Sequence, residues 1–352
     1  MKLLIIGGTG IISRAIVQCA LDSGFDVTIV NRGTRKIGFE NRVHVIQADR
    51  QDKEGFREKL KSAQPDVVID MICFDPEDAA QTVEIFRHRV RQLIFASSVA
   101  AYDRPYKSLP TREDAEKPLV DTDFSYGKQK AAFEQYLLGE MKKDEMKKNG
   151  AAITIIRPSL TFGPGARNFG MLRQNYNVVQ RIRDGRPLVM VGEGTFPWSF
   201  TYVDDLARGF VLACGNERTY NDHFQVLNDE VVVWEDIYRA IGSLVGKEPI
   251  LYRVPSVLLK EIDEKLMGHL NYEKVYCSVF SIEKFQKAVP EFRPACRFRE
   301  GIAKVVESWE KESLGVDVAK DAFEDKICAC YEAFRESLYK LRDHPPFSFS
   351  FK

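Results

Sequence analysis

KLLIIGGTGIIS, residues 2–13, decides the fold. After Lys2 the run is apolar without alternation, the pattern of a short strand covered on both faces in a parallel sheet. Glycines at 7, 8 and 10 then break it. Beyond them Ile12, Ile16, Cys19 and Ala20 recur at helical spacing as far as Gly24, and Asp26 to Val30 makes a second strand. This is a strand–helix–strand unit with a glycine turn at its first crossing. Such a turn lets backbone N–H groups approach a pyrophosphate held at the helix N-terminus. Gly7, Thr9, Gly10, Ile11 and Ile12 are therefore candidate cofactor contacts. Ser13 stands at the third glycine position and is small enough for the helix to pack closely on the strand.

The same alternation runs outward from this unit. Strands are expected over 43–46, 66–70, 92–96 and 153–156, with helices near 52–62, 76–88 and 125–149. That order predicts an α/β fold with a doubly wound (Rossmann) parallel sheet. Beyond Pro158 the segments Gly163-Pro164-Gly165, Gly185-Arg186-Pro187 and Gly192-Glu193-Gly194 cut the pattern into short pieces, as in a smaller mixed lobe. The expected division is 1–160 for the nucleotide domain, with returning segments from about 195–230, then 161–315 for a substrate lobe and 316–352 for a helical extension. In that extension Phe323, Ile327, Cys330, Phe334, Leu338 and Leu341 share one helical face, which should dock as core packing.

Asn31-Arg32 closes the second strand, where a carboxylate would otherwise accept from the adenosine ribose and select NAD. With Arg32, Arg35 and Lys36 nearby, a 2′-phosphate is welcome, so NAD or NADP is expected with a slight lean to NADP. Asp49-Arg50 follows the third strand, where side chain and backbone should meet the adenine. Asp70, at the end of the fourth strand, is a candidate cofactor-side carboxylate, although hydrogen bonding to backbone amides explains it better.

Tyr126 and Lys130 are four residues apart at the start of the long helix and so stack on one face. A phenol of pKa about 10 is a poor base at neutral pH, and an adjacent ammonium stabilises its phenolate. Ser97-Ser98 ends the fifth strand, at the sheet edge where ligands of such folds bind. Together these residues resemble the extended short-chain dehydrogenase/reductases, the NAD-dependent epimerase/dehydratase family. Gly7 to Ser13 looks like that family's cofactor fingerprint, Ser98 to Tyr102 like its serine segment, and Tyr126 to Lys130 like its catalytic helix. Arg157-Pro158, Gly163-Pro164-Gly165, Tyr202-Val203-Asp204-Asp205, and Pro294 with Glu300-Gly301 look like its later landmarks, in order.

The resemblance implies Tyr126 as acid/base, Lys130 on the nicotinamide ribose and Ser98 orienting the substrate hydroxyl. Pro158 is a further cofactor contact; Ser97, Val99, Asn168 and Trp198 are the candidate substrate contacts, with Trp198 either stacking on a sugar ring or packing in the core. Val99-Ala100 stands where the family's dehydratases carry an Asp-Glu pair, which leaves epimerase, reductase or oxidase chemistry on a secondary alcohol of a sugar, nucleotide sugar or related polyol. Trp198 to Thr201 stands where nucleotide-sugar members place an arginine that grips the diphosphate, a departure from their pattern. Asp70, Asn31-Arg32-Gly33 and the Trp198 segment resemble the atypical branch near the chloroplast stem-loop-binding proteins, some of which bind RNA.

Lys plus Arg equals Asp plus Glu at 51 each, so no net field recruits nucleic acid or an anionic membrane. The partner expected is a small molecule, with a homodimer implied by the family. A non-catalytic RNA-binding or regulatory protein is the alternative, disfavoured by the zero charge and the retained Tyr126 and Lys130. The seven cysteines lack disulfide or zinc spacing, and no stretch approaches the roughly 18 apolar residues of a membrane span, so a cytoplasmic location is expected. The histidines at 44, 88, 223, 269 and 344 are scattered, and no metal is expected.

Overall fold

The computed structural model describes residues 1–343 apart from 36, 37, 40, 116, 117, 263–266 and 268. Lys36, His344 and the rest of the C-terminal segment fall outside the described residues.

Strands β1 (Lys2–Ile6), β2 (Asp26–Asn31), β3 (His44–Gln47), β4 (Val67–Asp70), β5 (Gln92–Ala96) and β6 (Ala152–Arg157) belong to one sheet. After β7 (Thr161–Phe162), β8 (Leu188–Val191), β9 (Pro197–Ser199) and β10 (Thr201–Tyr202), the chain returns to that sheet with β11 (Asp222–Gln225). The seven strands are parallel and run in the order β3-β2-β1-β4-β5-β6-β11. Successive side chains of a strand point to opposite faces, and β1 uses both for core. Leu3 and Ile5 pack with α1 (Ile11–Asp22), while Leu4 and Ile6 pack against α2 (Lys53–Leu60), α3 (Pro76–Phe86) and α4 (Ser125–Lys142). All four are at most 1% exposed, worth about 1.5–3 kcal/mol each in burial. The two faces of this sheet are covered by helices, as the unbroken apolar strands require.

The helix expected over 125–149 is broken. Lys143 is extended at φ −68°, ψ 137°, and α5 (Asp144–Asn149) follows it. The break turns Met146 back into the same core as Met141.

α6 (Asn177–Asp184), α7 (Val203–Ala213), β12 (Val231–Val233), α8 (Trp234–Val245), β13 (Leu251–Val254), α9 (Ser256–Ile262), α10 (Glu283–Ala288), α11 (Phe298–Lys311) and α12 (Val318–Tyr339) complete the regular helices and strands. α7 joins α1 on the sheet, whereas α6, α8, α11 and the start of α12 share a second core with β8 and β13. Only the first half of α12 docks as the periodicity predicts. Glu324, Ile327 and Cys328 are buried, but Phe334, Leu338 and Leu341 are 53%, 47% and 61% exposed. The docked half is fixed by charge as well as by packing. Arg181, fully buried, reaches Asp321 at 2.8 Å and Asp325 at 2.9 Å, and Glu324 accepts from Gln174 Nε2 and the Val189 N–H. No helix among the described residues is long and apolar enough to cross a membrane.

Candidate active site

Two adjoining cavities lie over the glycine turn and the start of α4; Ile11, Ile12, Arg35, Met71 and Phe74 line both. The smaller, about 470 Å³, is lined by Gly7, Thr9, Gly10, Ile11, Ile12, Asn31, Arg32, Asp49 and Arg50 among others. The larger, about 700 Å³, is lined by Ser97, Ser98, Val99, Tyr126, Lys130, Pro158, Asn168 and Trp198 among others. One continuous crevice therefore gathers every candidate except Asp70.

The smaller cavity fits a dinucleotide on three observations. Gly7 sits at φ 111°, and a Cβ there would lie 2.9 Å from Ile72 Cγ2, so only glycine makes this turn. Gly10 is the N-cap of α1 and offers no side-chain cap, which leaves the first-turn N–H groups open to phosphate oxygens. Asn31 Oδ1 accepts from the Gly33 N–H at 2.7 Å, while its buried Nδ2 has no partner among the described residues. Leaving such a donor unmet costs about 1–3 kcal/mol, which a ligand oxygen would offset. Replacing Gly10 by Ala tests the cradle. A Cβ there meets nothing in the protein closer than Ser13 Oγ at 3.9 Å, so Tm without ligand should be unchanged. NADH affinity, read by fluorescence titration, should fall by about tenfold or more.

Asp70 is corrected to a structural role. It is 1% exposed and lines neither cavity. Its carboxylate accepts from Arg50 Nη2 at 2.7 Å, from Thr82 Oγ1 at 2.6 Å and from the Ile72 N–H at 3.1 Å. A backbone amide is thus one partner, but the guanidinium of Arg50 is the main one. That ion pair also commits the Arg50 side chain, which donates in addition to the Ile72 carbonyl at 2.7 Å. Arg32 and Arg35 make no ion pair among the described residues, and both line the smaller cavity.

In the larger cavity, Lys130 is 3% exposed and its ammonium donates to the Cys73 and Ala96 carbonyls at 2.8 and 2.9 Å. An ammonium has three donors, so one remains for a ligand. Burial lowers the Lys130 pKa from its ordinary value. Its Nζ lies 5.9 Å from the centroid of the Tyr126 ring. Tyr126 is 40% exposed as a residue, yet desolvation of its hydroxyl pushes the phenol up to about 12. The Glu273 carboxylate pushes the same way, and the nearby Ser98 hydroxyl opposes both. Ser98 Oγ also caps the short turn Val99–Ala101 by accepting from the Ala100 N–H at 3.1 Å. Three oxygen- or nitrogen-bearing groups of different strength thus converge on one small volume.

Other candidates are less free. The Ser97 hydroxyl donates to Glu134 in a short hydrogen bond, and Glu134 also holds Arg157 at 2.5 Å with both side chains 5% exposed. Arg157 Nη1 goes on to the Tyr102 hydroxyl at 2.9 Å, which makes a buried strut under the serine segment. Trp198 is 4% exposed, packed against Phe200 and Trp234 with its Nε1 donating to the Tyr276 carbonyl at 2.9 Å. That is core packing with an edge on the cavity, and its faces are not available for stacking. Asn168 makes no side-chain hydrogen bond among the described residues and lines the cavity.

Sequence reasoning missed Glu134 and the wall of Arg104, Arg173, Glu273 and Lys274. Glu134 had a signal: it continues the Tyr126 and Lys130 stripe at the next four-residue step. Arg104 lies in the loop after the serine segment, and Arg173, Glu273 and Lys274 come from segments after β6; none had a periodic signal.

The chain matches the model of the "NAD dependent epimerase/dehydratase family" over residues 3–226. It is similar to 2′-dehydrokanamycin reductase of Streptomyces kanamyceticus, 22% identical over 70% of this chain and 67% of that protein. It is also similar to the chloroplast stem-loop binding protein of 41 kDa b of Arabidopsis thaliana, 25% identical over 70% of this chain and 63% of that one. The chain thus spans about two thirds of the length of these relatives. Among solved structures, the UDP-glucuronic acid 4-epimerase of Bacillus cereus in complex with NAD superposes with a TM-score of 0.69 at 19% identity, covering 89% of this chain and 99% of that one. With the parallel sheet, the glycine turn and the crevice above them, the family match leads to one conclusion: the chain belongs to the NAD-dependent epimerase/dehydratase family, the nicotinamide-dependent enzymes of the extended short-chain dehydrogenase/reductase type.

Proposed function

We propose that this protein is an oxidoreductase or epimerase that acts on a secondary alcohol of a sugar or related polyol, with Tyr126 as its acid/base. The observation that carries this reading is the convergence of Tyr126, Ser98 and Lys130 on the wall of one cavity that adjoins the glycine cradle. When bound, the nicotinamide would supply hydride uptake or delivery. Ser98 would hold the substrate oxygen beside Tyr126 Oη, which takes the hydroxyl proton in one direction and returns it in the other. The third N–H of Lys130 would reach the nicotinamide ribose, and its charge favours the phenolate. Met71, Phe74 and Phe124 supply an apolar wall to the cavity that holds the reacting oxygen.

Sugar chemistry is supported by the relatives: one is named 2′-dehydrokanamycin reductase and one solved neighbour UDP-glucuronic acid 4-epimerase. The free Asn168 amide suits a hydroxyl-rich substrate. Homodimerisation is part of this reading by family resemblance, and a cytosolic setting by the scattered cysteines and the lack of a long apolar stretch. The alternative of an RNA-binding protein does not account for Tyr126, Lys130 and Ser98 on the wall of one cavity, which RNA binding does not require.

NADP is the preferred cofactor on this reading, because Asn31 presents a donor where NAD selection uses an acceptor, and Arg32 and Arg35 stand beside it without ion-pair partners among the described residues. Fluorescence titration with NADH and NADPH tests it. Saturable binding is expected for both, tighter for NADPH, and the double change Arg32→Ser with Arg35→Ser should remove that preference. A protein that binds neither nucleotide would contradict the proposal.

A further inference from the structure

We propose that Arg173 is an anion anchor for the substrate: the molecule handled by Tyr126 carries a carboxylate or a phosphate, held by Arg173 in the part of the crevice beyond the glycine turn. The inference rests on the larger cavity being the substrate site.

The charged side chains of that cavity are unbalanced in a chain whose total charge is zero. Arg35, Arg104, Lys130, Arg167, Arg173 and Lys274 line it against the single acid Glu273. Most of the cations are already committed. Lys130 holds two carbonyls, as described above. Lys274, 3% exposed, donates to the Gly170 and Met171 carbonyls at 2.7 Å each. Arg104 turns back onto the Val99, Ala100 and Tyr102 carbonyls, between 3.0 and 3.4 Å. Arg167 is paired with Glu312 at 2.5 Å. Arg35 lines the cofactor cavity as well. Among the described residues this leaves Arg173 as the cation of the substrate end whose side chain makes no hydrogen bond or ion pair. A longer-range electrostatic link joins it to Glu273 and Lys274.

The backbone supplies the second observation. Arg173 sits at φ 55°, a left-handed conformation that costs a side-chain-bearing residue roughly 1–2 kcal/mol, and Asn175 repeats it at φ 55°. The turn around it is over-determined. Phe169 N–H donates to Asn175 Oδ1 at 2.9 Å, Leu172 N–H to Gln174 Oε1 at 3.1 Å, and buried Gln174 is pinned to Glu324. Glycine would fit this position without strain. A bulky, exposed cation kept there by its surroundings, on the wall of a cavity and with no hydrogen-bonded counter-ion among the described residues, is suited to recognition of an anion.

The test uses protein loaded with NADPH and calorimetric titration with three anionic probes, glucose 6-phosphate, glucuronate and UDP-glucose, and with neutral glucose. At least one anionic probe is expected to bind, and the arms distinguish monophosphate, carboxylate and nucleotide diphosphate. Arg173→Gly and Arg173→Met should each weaken that binding tenfold or more without changing the response to glucose. Without ligand, Arg173→Gly should melt no lower than the parent, and about 2 °C higher if the strain is fully released. Unchanged affinity of the anionic probe in both variants would overturn the proposal. So would a drop in Tm for Arg173→Gly, which would mark Arg173 as a structural counter-ion to Glu273. Failure of all three anionic probes on NADPH-loaded protein would overturn it as well, whereas failure to take up NADPH would sink the cofactor reading instead.

Discussion

Replacing Tyr126 by Phe is expected to lower kcat by about 10²–10⁴-fold and leave NADPH affinity unchanged. The substitution removes one oxygen and keeps the ring that packs at 6.0 Å against Phe124, so the cavity wall survives. The oxygen it removes is the one that Ser98 addresses and that Glu273 influences. In the protein alone the phenol is pushed up to about 12, above its ordinary value of about 10, so at neutral pH it carries its proton. That state suits proton delivery during reduction. Oxidation of an alcohol needs the phenolate, so the oxidative rate should climb with pH while the reductive rate does not. Steady-state assays in both directions between pH 6 and 10 read this. A Phe variant within threefold of the parent, or an oxidative rate falling as pH rises, would remove Tyr126 from the proton path.

Glu134→Ala should cost about 3–5 kcal/mol of unfolding free energy, the largest stability loss expected from a single change outside the aliphatic core. Arg157 Nε lies 2.9 and 3.0 Å from the two Glu134 oxygens, and its Nη2 at 2.5 Å from one of them. With both side chains 5% exposed, removal of the carboxylate leaves a buried guanidinium holding only the Tyr102 hydroxyl and the Glu113 carbonyl. The Ser97 hydroxyl loses its acceptor at the same time. Urea unfolding monitored by circular dichroism measures the cost. A loss under 1 kcal/mol would mean that water reaches Arg157, and that the strut beneath the serine segment is not what the buried geometry implies.

What was legible in the sequence was local. The strand and glycine turn of residues 2–13 carry their own period and their own backbone demand, so the cradle could be assigned residue by residue. Tyr126 and Lys130 were legible because a helix converts a spacing of four into a shared face. The fate of a polar group was less legible than its place. Asp70 stood at the end of the right strand, but Arg50, 20 positions earlier, claims its carboxylate, and no periodicity encodes that contact. Trp198 stood near the cavity, and Trp234 and Phe200 take up its ring. The break at Lys143 had no glycine or proline to announce it; the burial of Met146 depends on a core built by distant strands. Arg173 and Glu273 reach the cavity from a loop and a short helical turn far along the chain, and Arg104 turns back onto carbonyls of its own segment, contacts that no periodicity encodes.

The most direct measurement is a crystal structure of the NADPH complex. The nicotinamide ring is predicted to lie in the larger cavity beside Tyr126, with the pyrophosphate on the first-turn N–H groups of α1 and the free N–H of Lys130 on the ribose. A dinucleotide whose ring points out of the crevice, with Lys130 turned away from it, would contradict the account.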